Sequence, residues 1–356
     1  MMTEGPLVAV AMSGGVDSAV AAALLAERGY RVVGLMLRLW SSSKDESNRC
    51  CTPQSMALAK QVAAQLDFAF HVVDVRDQFR QNVVKPFIDG YAQGITPNPC
   101  LECNRLIRFD FLLKWAFSLG AGFLATGHYA RVVRREAEYV LLRGVDRAKD
   151  QSYVLSVLGQ EQLAHALFPV GEYRKPLVRD LARKFELPVA ERAESQDLCF
   201  LGEKNYREFL REQAPVLPRK GPILNTHGLL LGEHTGLANF TIGQHKGIGL
   251  SSPEPLYVVA KNPTENSLTV GPRDALERTT FSVANVHWVS GEVAAIPVRA
   301  MVRVRYKARE VWGTVLPAPA GKATVSLDEP LPDITPGQAA VFYDGEVCLG
   351  NGVITA

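Results

Sequence analysis

Leu7-Val8-Ala9-Val10-Ala11 runs through Met12 into Ser13-Gly14-Gly15-Val16-Asp17-Ser18, and that turn opens directly into Ala19-Val20-Ala21-Ala22-Ala23-Leu24-Leu25. An apolar run, a short polar turn with paired glycines and a second apolar run of helical length predict strand, tight loop, helix. Such a junction is where α/β proteins hold phosphate. Adjacent glycines let the backbone turn sharply and point several N–H groups into one concavity, which the positive end of the helix dipole also faces. Ser13 and Ser18 add hydroxyl donors. A glycine turn joining strand to helix is the plainer reading of the glycine pair alone. All six positions directly after a strand favour nucleotide binding. The loop lacks the lysine of the G-x-x-x-x-G-K-[ST] pattern, which argues against a kinase-like γ-phosphate site.

Outward from the loop, Arg31 to Leu37 reads as a second buried strand, residues 53–66 as a helix and Ala69 to Val73 as a third strand. Alternating βα units through Leu124-Ala125-Thr126-Gly127 predict a parallel sheet covered by helices, with ligands beyond the C-terminal strand ends. Both Ser13–Ser18 and Gly127-His128 fall at that edge. Tyr129 to Val145 predicts a hairpin, and Lys175 to Phe185 a helix. Beyond Phe200 glycine and proline become frequent and the strands short and alternating, which predicts small barrels. The expected division is an α/β catalytic domain over residues 1–200, a β-rich central domain over 201–279 and a terminal β-barrel over 280–356.

A chain of 356 residues with 47% hydrophobic content can bury more than one core. No stretch approaches the ~18 apolar residues of a membrane span. Met1-Met2-Thr3-Glu4-Gly5-Pro6 has neither the charged start nor the apolar core of a secretory signal. The expectation is a cytoplasmic protein with no membrane partner. A net charge of +2 neither demands nor excludes a polyanion, so local placement decides.

Six cysteines, at 50, 51, 100, 103, 199 and 348, are too sparse for a disulfide scaffold. Thr96-Pro97-Asn98-Pro99-Cys100-Leu101-Glu102-Cys103-Asn104 sets a C-x-x-C behind two stiffening prolines, with a helix expected directly afterwards. A thiol near a helix N-terminus is a better nucleophile. Cys199, in Glu194-Ser195-Gln196-Asp197-Leu198-Cys199-Phe200, is the second candidate. Buried inert thiols fit Cys348 well; a zinc site would need a matching second pair; sulfur chemistry would use two thiols joined by the fold. An adenylating loop in the same chain favours the last, because adenylation turns a carbonyl oxygen into a leaving group that a thiolate or persulfide can replace.

The loop string resembles the pyrophosphate loop of the N-type ATP pyrophosphatases. With it, T-P-N-P-x-x-x-C-N, A-T-G-H-Y-A, K-D-Q-S-Y-V-L, S-Q-D-x-C-F, T-I-G-Q-x-K-G and T-P-G-Q-A occur in the order of the tRNA-specific 2-thiouridylases, and the resemblance spans essentially the whole chain. It implies ATP-dependent 2-thiolation of the wobble uridine of tRNA, with release of AMP and pyrophosphate. Cys199 would carry a persulfide supplied by a cysteine desulfurase or a sulfur-relay protein, and Cys103 would be its partner nucleophile, leaving a disulfide to be reduced. Ala11, Met12, Ser13, Gly14, Gly15, Val16, Asp17 and Ser18, with Leu37 and Gly127, would bind ATP. Asp17 would also be a magnesium ligand, although a helix cap is an equally natural reading of that position. Asn98, Pro99 and Cys100 would meet the target base, which has to leave the anticodon stack to be reached. His128, Lys149, Asp150, Gln151, Arg305, Tyr306 and Gln338 would contact tRNA.

Arg303, Arg305, Lys307 and Arg309 share one parity, so a strand there would set four cations on one face, as a phosphate-facing surface would require. The sequence departs from the family's frequent pattern at Phe240, His245 and Cys100. The last gives three thiols that could converge, so an iron–sulfur cluster stands beside persulfide relay. Other functions compatible with the loop are an adenylating synthetase acting on a small carboxylate and an ATP-sensing RNA-binding module.

Overall fold

The computed structural model describes residues 5–40, 52–193, 198–202, 204–214, 219–332 and 334–355. Cys50, Cys51 and the Ser195-Gln196-Asp197 part of the Cys199 motif lie outside them. Strands β1 (Leu7–Ala11), β2 (Arg31–Arg38), β3 (Ala69–Asp74) and β4 (Phe123–Ala125) are parallel. The chain then leaves as the expected hairpin, β5 (Ala130–Arg135) and β6 (Glu138–Arg143), and returns for the two-residue β7 (Ala166–Leu167). The sheet order β3-β2-β1-β4-β7 puts β1, and with it the glycine loop, in the centre. β1 is central because Val8, Ala9 and Val10 are apolar on both faces and fully buried.

Helix α1 (Val16–Glu27) is buried from Ser18 to Leu25 without interruption, as its alanine-rich sequence permits. Small side chains let it lie close between the sheet and the helix Lys175–Lys184. Helix α2 (Pro53–Gln65) begins with Thr52 as cap, its Oγ1 accepting from the Ser55 N–H at 2.9 Å, and with proline in the first turn.

The central segment forms a sheet of β8 (Gly221–Asn225), β9 (Leu230–His234), β10 (Tyr257–Asn262) and β11 (Ser267–Gly271), in the order β10-β11-β8-β9 around Ile223, Val258, Leu268 and Val270. The terminal strands are β12 (Arg278–Trp288), β13 (Val298–Arg303), β14 (Val311–Ala318), β15 (Lys322–Leu331), β16 (Ala339–Asp344) and β17 (Val347–Ile354). Their order β12-β15-β14-β13-β16-β17 closes through β12–β17 into a six-stranded barrel with a valine-rich interior. β6 also joins β17 through Leu142 and Val347. The hairpin of the α/β domain is thus an extension of the barrel sheet.

One strand expectation is corrected. β13 ends at Arg303, and residues 304–310 turn toward β14, so the four cations do not share a face. Each of three arginines is instead drawn to its own partner. Arg303 binds Glu310, Arg305 binds Thr335 Oγ1 and the Ile242 carbonyl, and Arg309 binds Glu329. Only Lys307 of the four is left strongly exposed without such a recorded pairing among the described residues.

Candidate active site at the glycine loop and the cysteine helix

The glycine loop is held from below and from both sides. Gly14 has φ +70°, and a Cβ there would fall 2.3 Å from the Ser55 carbonyl oxygen at the start of α2. Only glycine satisfies both the left-handed backbone and that approach. Gly127, just past β4, would put a Cβ 2.7 Å from the Asp17 and Ser18 backbone. The two glycines therefore clamp the loop between neighbouring strand ends. Ser18 Oγ is buried and donates to the Gly15 carbonyl at 3.2 Å while accepting from the Ser13 N–H at 3.2 Å. Leu37 stands at the same C-terminal edge, near the end of β2.

Gly15, not Asp17, occupies the capping position of α1. The Asp17 carboxylate turns sideways, where Oδ1 accepts from Lys175 Nζ at 2.6 Å and from the Tyr129 hydroxyl at 2.7 Å. Lys175 is almost completely buried at the start of its helix. A lysine from 158 residues further along thus reaches the aspartate of the loop. Arg192 completes the surround, donating to the Gly14 carbonyl and, at 2.7 Å, to Ser55 Oγ. Neither cation was identified from sequence. Lys175 carried only the faint signal of a lysine before Pro176 at a helix start, and Arg192 sits in an unremarkable polar turn.

The cysteine helix starts earlier than expected. Asn98 caps it, with Oδ1 accepting from the Cys100 N–H at 3.1 Å, and Pro99 is the first helical residue. Cys100 is thereby in the first turn and partly exposed, whereas Cys103 lies a turn deeper, 8% exposed, at the start of a π-helical stretch, Cys103–Leu112. π turns widen a helix and are common at functional sites. Asn104 anchors the next position, its amide donating to the Val154 carbonyl at 2.9 Å. Cys199 packs against the same apolar cluster that contains Cys103, together with Leu101, Tyr153, Phe200 and Leu201. Thiols 96 positions apart in sequence thus border the same extended core. Cys348 is fully buried in the barrel wall, and burial pushes its thiol far up, as expected of an inert one.

With this geometry, three family descriptions match in succession: a tRNA methyl transferase HUP domain over residues 7–203, a tRNA methyl transferase PRC-barrel domain over 207–272 and an aminomethyltransferase β-barrel domain over 278–354. The curated tRNA-specific 2-thiouridylase of Magnetococcus marinus is 46% identical over 99% of this chain and 100% of its own length. That of Chloroflexus aggregans is 46% identical, over 98% of each chain. The chain belongs to the tRNA-specific 2-thiouridylase family. Among solved structures, an NMN synthetase from Francisella tularensis is 18% identical with a TM-score of 0.35, covering 60% of this chain and 78% of that one.

Several positions that the 2-thiouridylase motifs direct toward RNA have internal partners here. His128 is buried, accepting from Arg108 at Nε2 (3.3 Å) and facing Thr126 Oγ1 from Nδ1 (2.7 Å). A guanidinium can only donate, so the ring proton is on Nδ1. Burial first, and the Arg108 charge second, hold its pKa well below 6.5, so the ring is neutral. Asp150 is likewise turned inward, accepting from the Gly144 and Ser152 N–H groups and the Ser152 hydroxyl, within a buried set of Arg143, Arg303 and Glu310. Gln151 Oε1 accepts from the Tyr129 N–H at 2.9 Å, and its own N–H donates to the Tyr129 carbonyl at 2.8 Å. It steadies the tyrosine that reaches Asp17.

Tyr153, in the same motif, donates to the Ala339 carbonyl at 2.9 Å, and the Asn98 side chain acts on its hydroxyl against the effect of burial. K-D-Q-S-Y-V-L is therefore a hub joining the glycine loop, the cysteine helix and the barrel. Lys149 stays partly exposed. Tyr306 lies in the neighbourhood of Tyr153, its hydroxyl pushed up by burial, then by Asp150, with Cys100 also contributing. Gln338 Nε2 donates to the Thr96 carbonyl at 2.7 Å.

Proposed function

We propose that this chain thiolates C2 of the wobble uridine of tRNA at the expense of ATP. The observation that carries the reading is the coexistence, in one fold, of an anion-binding glycine loop with a lysine–aspartate pair and two thiols that border one extended core, Cys103 within it and Cys199 against it. ATP fits the loop: a strand-to-helix turn with left-handed Gly14 and a buried ammonium beside it suits a pyrophosphate leaving group. Asp17 would hold Mg²⁺, which would neutralise charge on the phosphates.

In the first step the uridine O2 attacks the α-phosphorus of ATP, the α–β phosphoanhydride breaks and pyrophosphate leaves. Cys199, loaded with a sulfane sulfur by a desulfurase or relay protein, presents its terminal sulfur to C2. The C2–O bond breaks and AMP carries the oxygen away. The Cys103 thiolate then attacks the Cys199 sulfur, releasing the thiocarbonyl. The two thiols are oxidised to a disulfide and the sulfane sulfur gains the two electrons; an external thiol reductant resets the pair. Asn98, Pro99 and Cys100 form the edge where the flipped base would be received, and RNA contact is carried by the partly exposed Lys149 and the exposed Lys307 together with the neighbouring backbone.

A small-carboxylate synthetase would have no use for Cys199 packed against the Cys103 cluster. An iron–sulfur route does not fit the residues present, since among the described residues no three His, Cys, Asp or Glu side chains gather as a metal site. No described helix is long and apolar enough to cross a membrane. The test is Cys199→Ser assayed with tRNA, ATP and a sulfur donor. Retained adenylation, read as pyrophosphate release, without thiolated nucleoside is expected. Full thiolation by this variant would overturn the sulfur role.

A further inference from the structure

The loop leading to the cysteine helix is strapped by the barrel. The Thr96 N–H donates to the Pro336 carbonyl at 2.8 Å, and the Thr96 carbonyl accepts from Gln338 Nε2 at 2.7 Å, so both main-chain polar groups of one residue are taken by a single loop of another domain. Gly337 lies between these two contacts. Its φ is +91°, and a Cβ would stand 2.9 Å from the Thr96 backbone N and C atoms. Two residues after Thr96, Asn98 caps the cysteine helix, with its side chain acting on the hydroxyl of Tyr153, which donates to the carbonyl of Ala339, next to Gln338. The helix start is thus held at two points by residues 336–339. Arg305 extends the connection, bridging Thr335 Oγ1 and the Ile242 carbonyl of the central domain.

We infer that Gln338 is a positioning residue for the thiol step, holding Thr96 so that the first turn of the cysteine helix sets Cys103 at its buried depth. An amide donor facing a carbonyl, across an approach that only glycine allows, is a fit between two protein loops. The inference rests on the proposed thiolation for its catalytic consequence, but its structural half holds for the enzyme without RNA. It also places Arg305 as the link by which the central domain is coupled to the same strap.

The experiment measures peptide-resolved alkylation of Cys103 by iodoacetamide in the full-length, tRNA-free protein, with Cys348 as internal control, for wild type, Gln338→Ala and Gln338→Glu. Glu keeps the volume but sets a carboxylate against the Thr96 carbonyl, and so serves if the truncation fails to fold. Cys103 should react about fivefold faster in the variants, the increase in local opening that one lost hydrogen bond supports, with Cys348 unchanged. In steady-state thiolation, kcat should fall about tenfold with KM for tRNA held within about twofold. Unchanged Cys103 alkylation in both variants overturns the inference, as does a raised KM at constant kcat, which would make Gln338 an RNA contact instead. A protein inactive in thiolation altogether would refute the functional reading, while the alkylation result would still decide the role of Gln338.

Discussion

Lys175 and Asp17 show where sequence reading stops at the scale of single residues. The glycines at 14 and 15 were legible because a left-handed turn between strand and helix leaves few alternatives. The ammonium that serves the loop was not, because it arrives through tertiary packing of a helix that has no motif. Replacing Lys175 with Met leaves the Asp17 carboxylate beside the loop with only the Tyr129 hydroxyl of its two recorded donors. AMP formation should fall on the order of 100-fold, the scale of losing one preorganised electrostatic group, in a pyrophosphate-release assay. His128, which the family motifs direct toward tRNA, is enclosed by the fold. Its folded-state pKa is depressed, so the native state resists a proton that the unfolded chain accepts below about pH 6.5. Stability is therefore unaffected by this group above that pH and falls as the pH drops through it, by on the order of 1 kcal/mol per pH unit. Urea unfolding at pH 7.5 and 5.5 should show a smaller loss in His128→Gln than in wild type.

Elements were read well where period and capping agree. β1, β2, β3 and α2 fall within a residue or two of their expected limits, because continuous apolar runs predict buried strands and Thr52-Pro53 predicts a helix start. Two elements were misplaced for physical reasons. The cysteine helix begins at Pro99 because proline is well suited to the first helical position when Asn98 caps it; the prolines were read only as stiffeners of a loop. The basic run from Arg303 to Arg309 has strand parity, yet the strand stops where Arg303 turns to Glu310. Parity reports what a strand would do, whereas an acidic partner seven residues on decides whether the strand continues. The disposition of Asp150 follows the same rule, since nothing local shows that Arg143 and Arg303 will converge on it.

At the scale of the whole molecule, the barrel is built into the α/β domain. β6 joins β17, Arg143 lies 3.6 Å over the Tyr343 ring while gripping Glu310 with both guanidinium nitrogens, and Asp150 sits beneath both arginines. Removing one member of such a buried set strands the others, so Asp150→Ala should cost about 3 kcal/mol, seen as a lowered calorimetric transition and partial loss of barrel docking. Domain-level organisation was visible in the shift to short strands past Phe200, but the strapping of the cysteine loop by Thr335-Pro336-Gly337-Gln338 was not, because a long-range contact leaves no periodic trace. The central claim is that loop and thiols serve one reaction on RNA. It is tested most directly by incubating the full chain with unmodified tRNA, magnesium ATP and a desulfurase system, then quantifying AMP and 2-thiouridine in the nuclease-digested RNA. Equimolar AMP and 2-thiouridine, both dependent on tRNA, are predicted; AMP without any thiolated nucleoside, or neither product, would contradict the account.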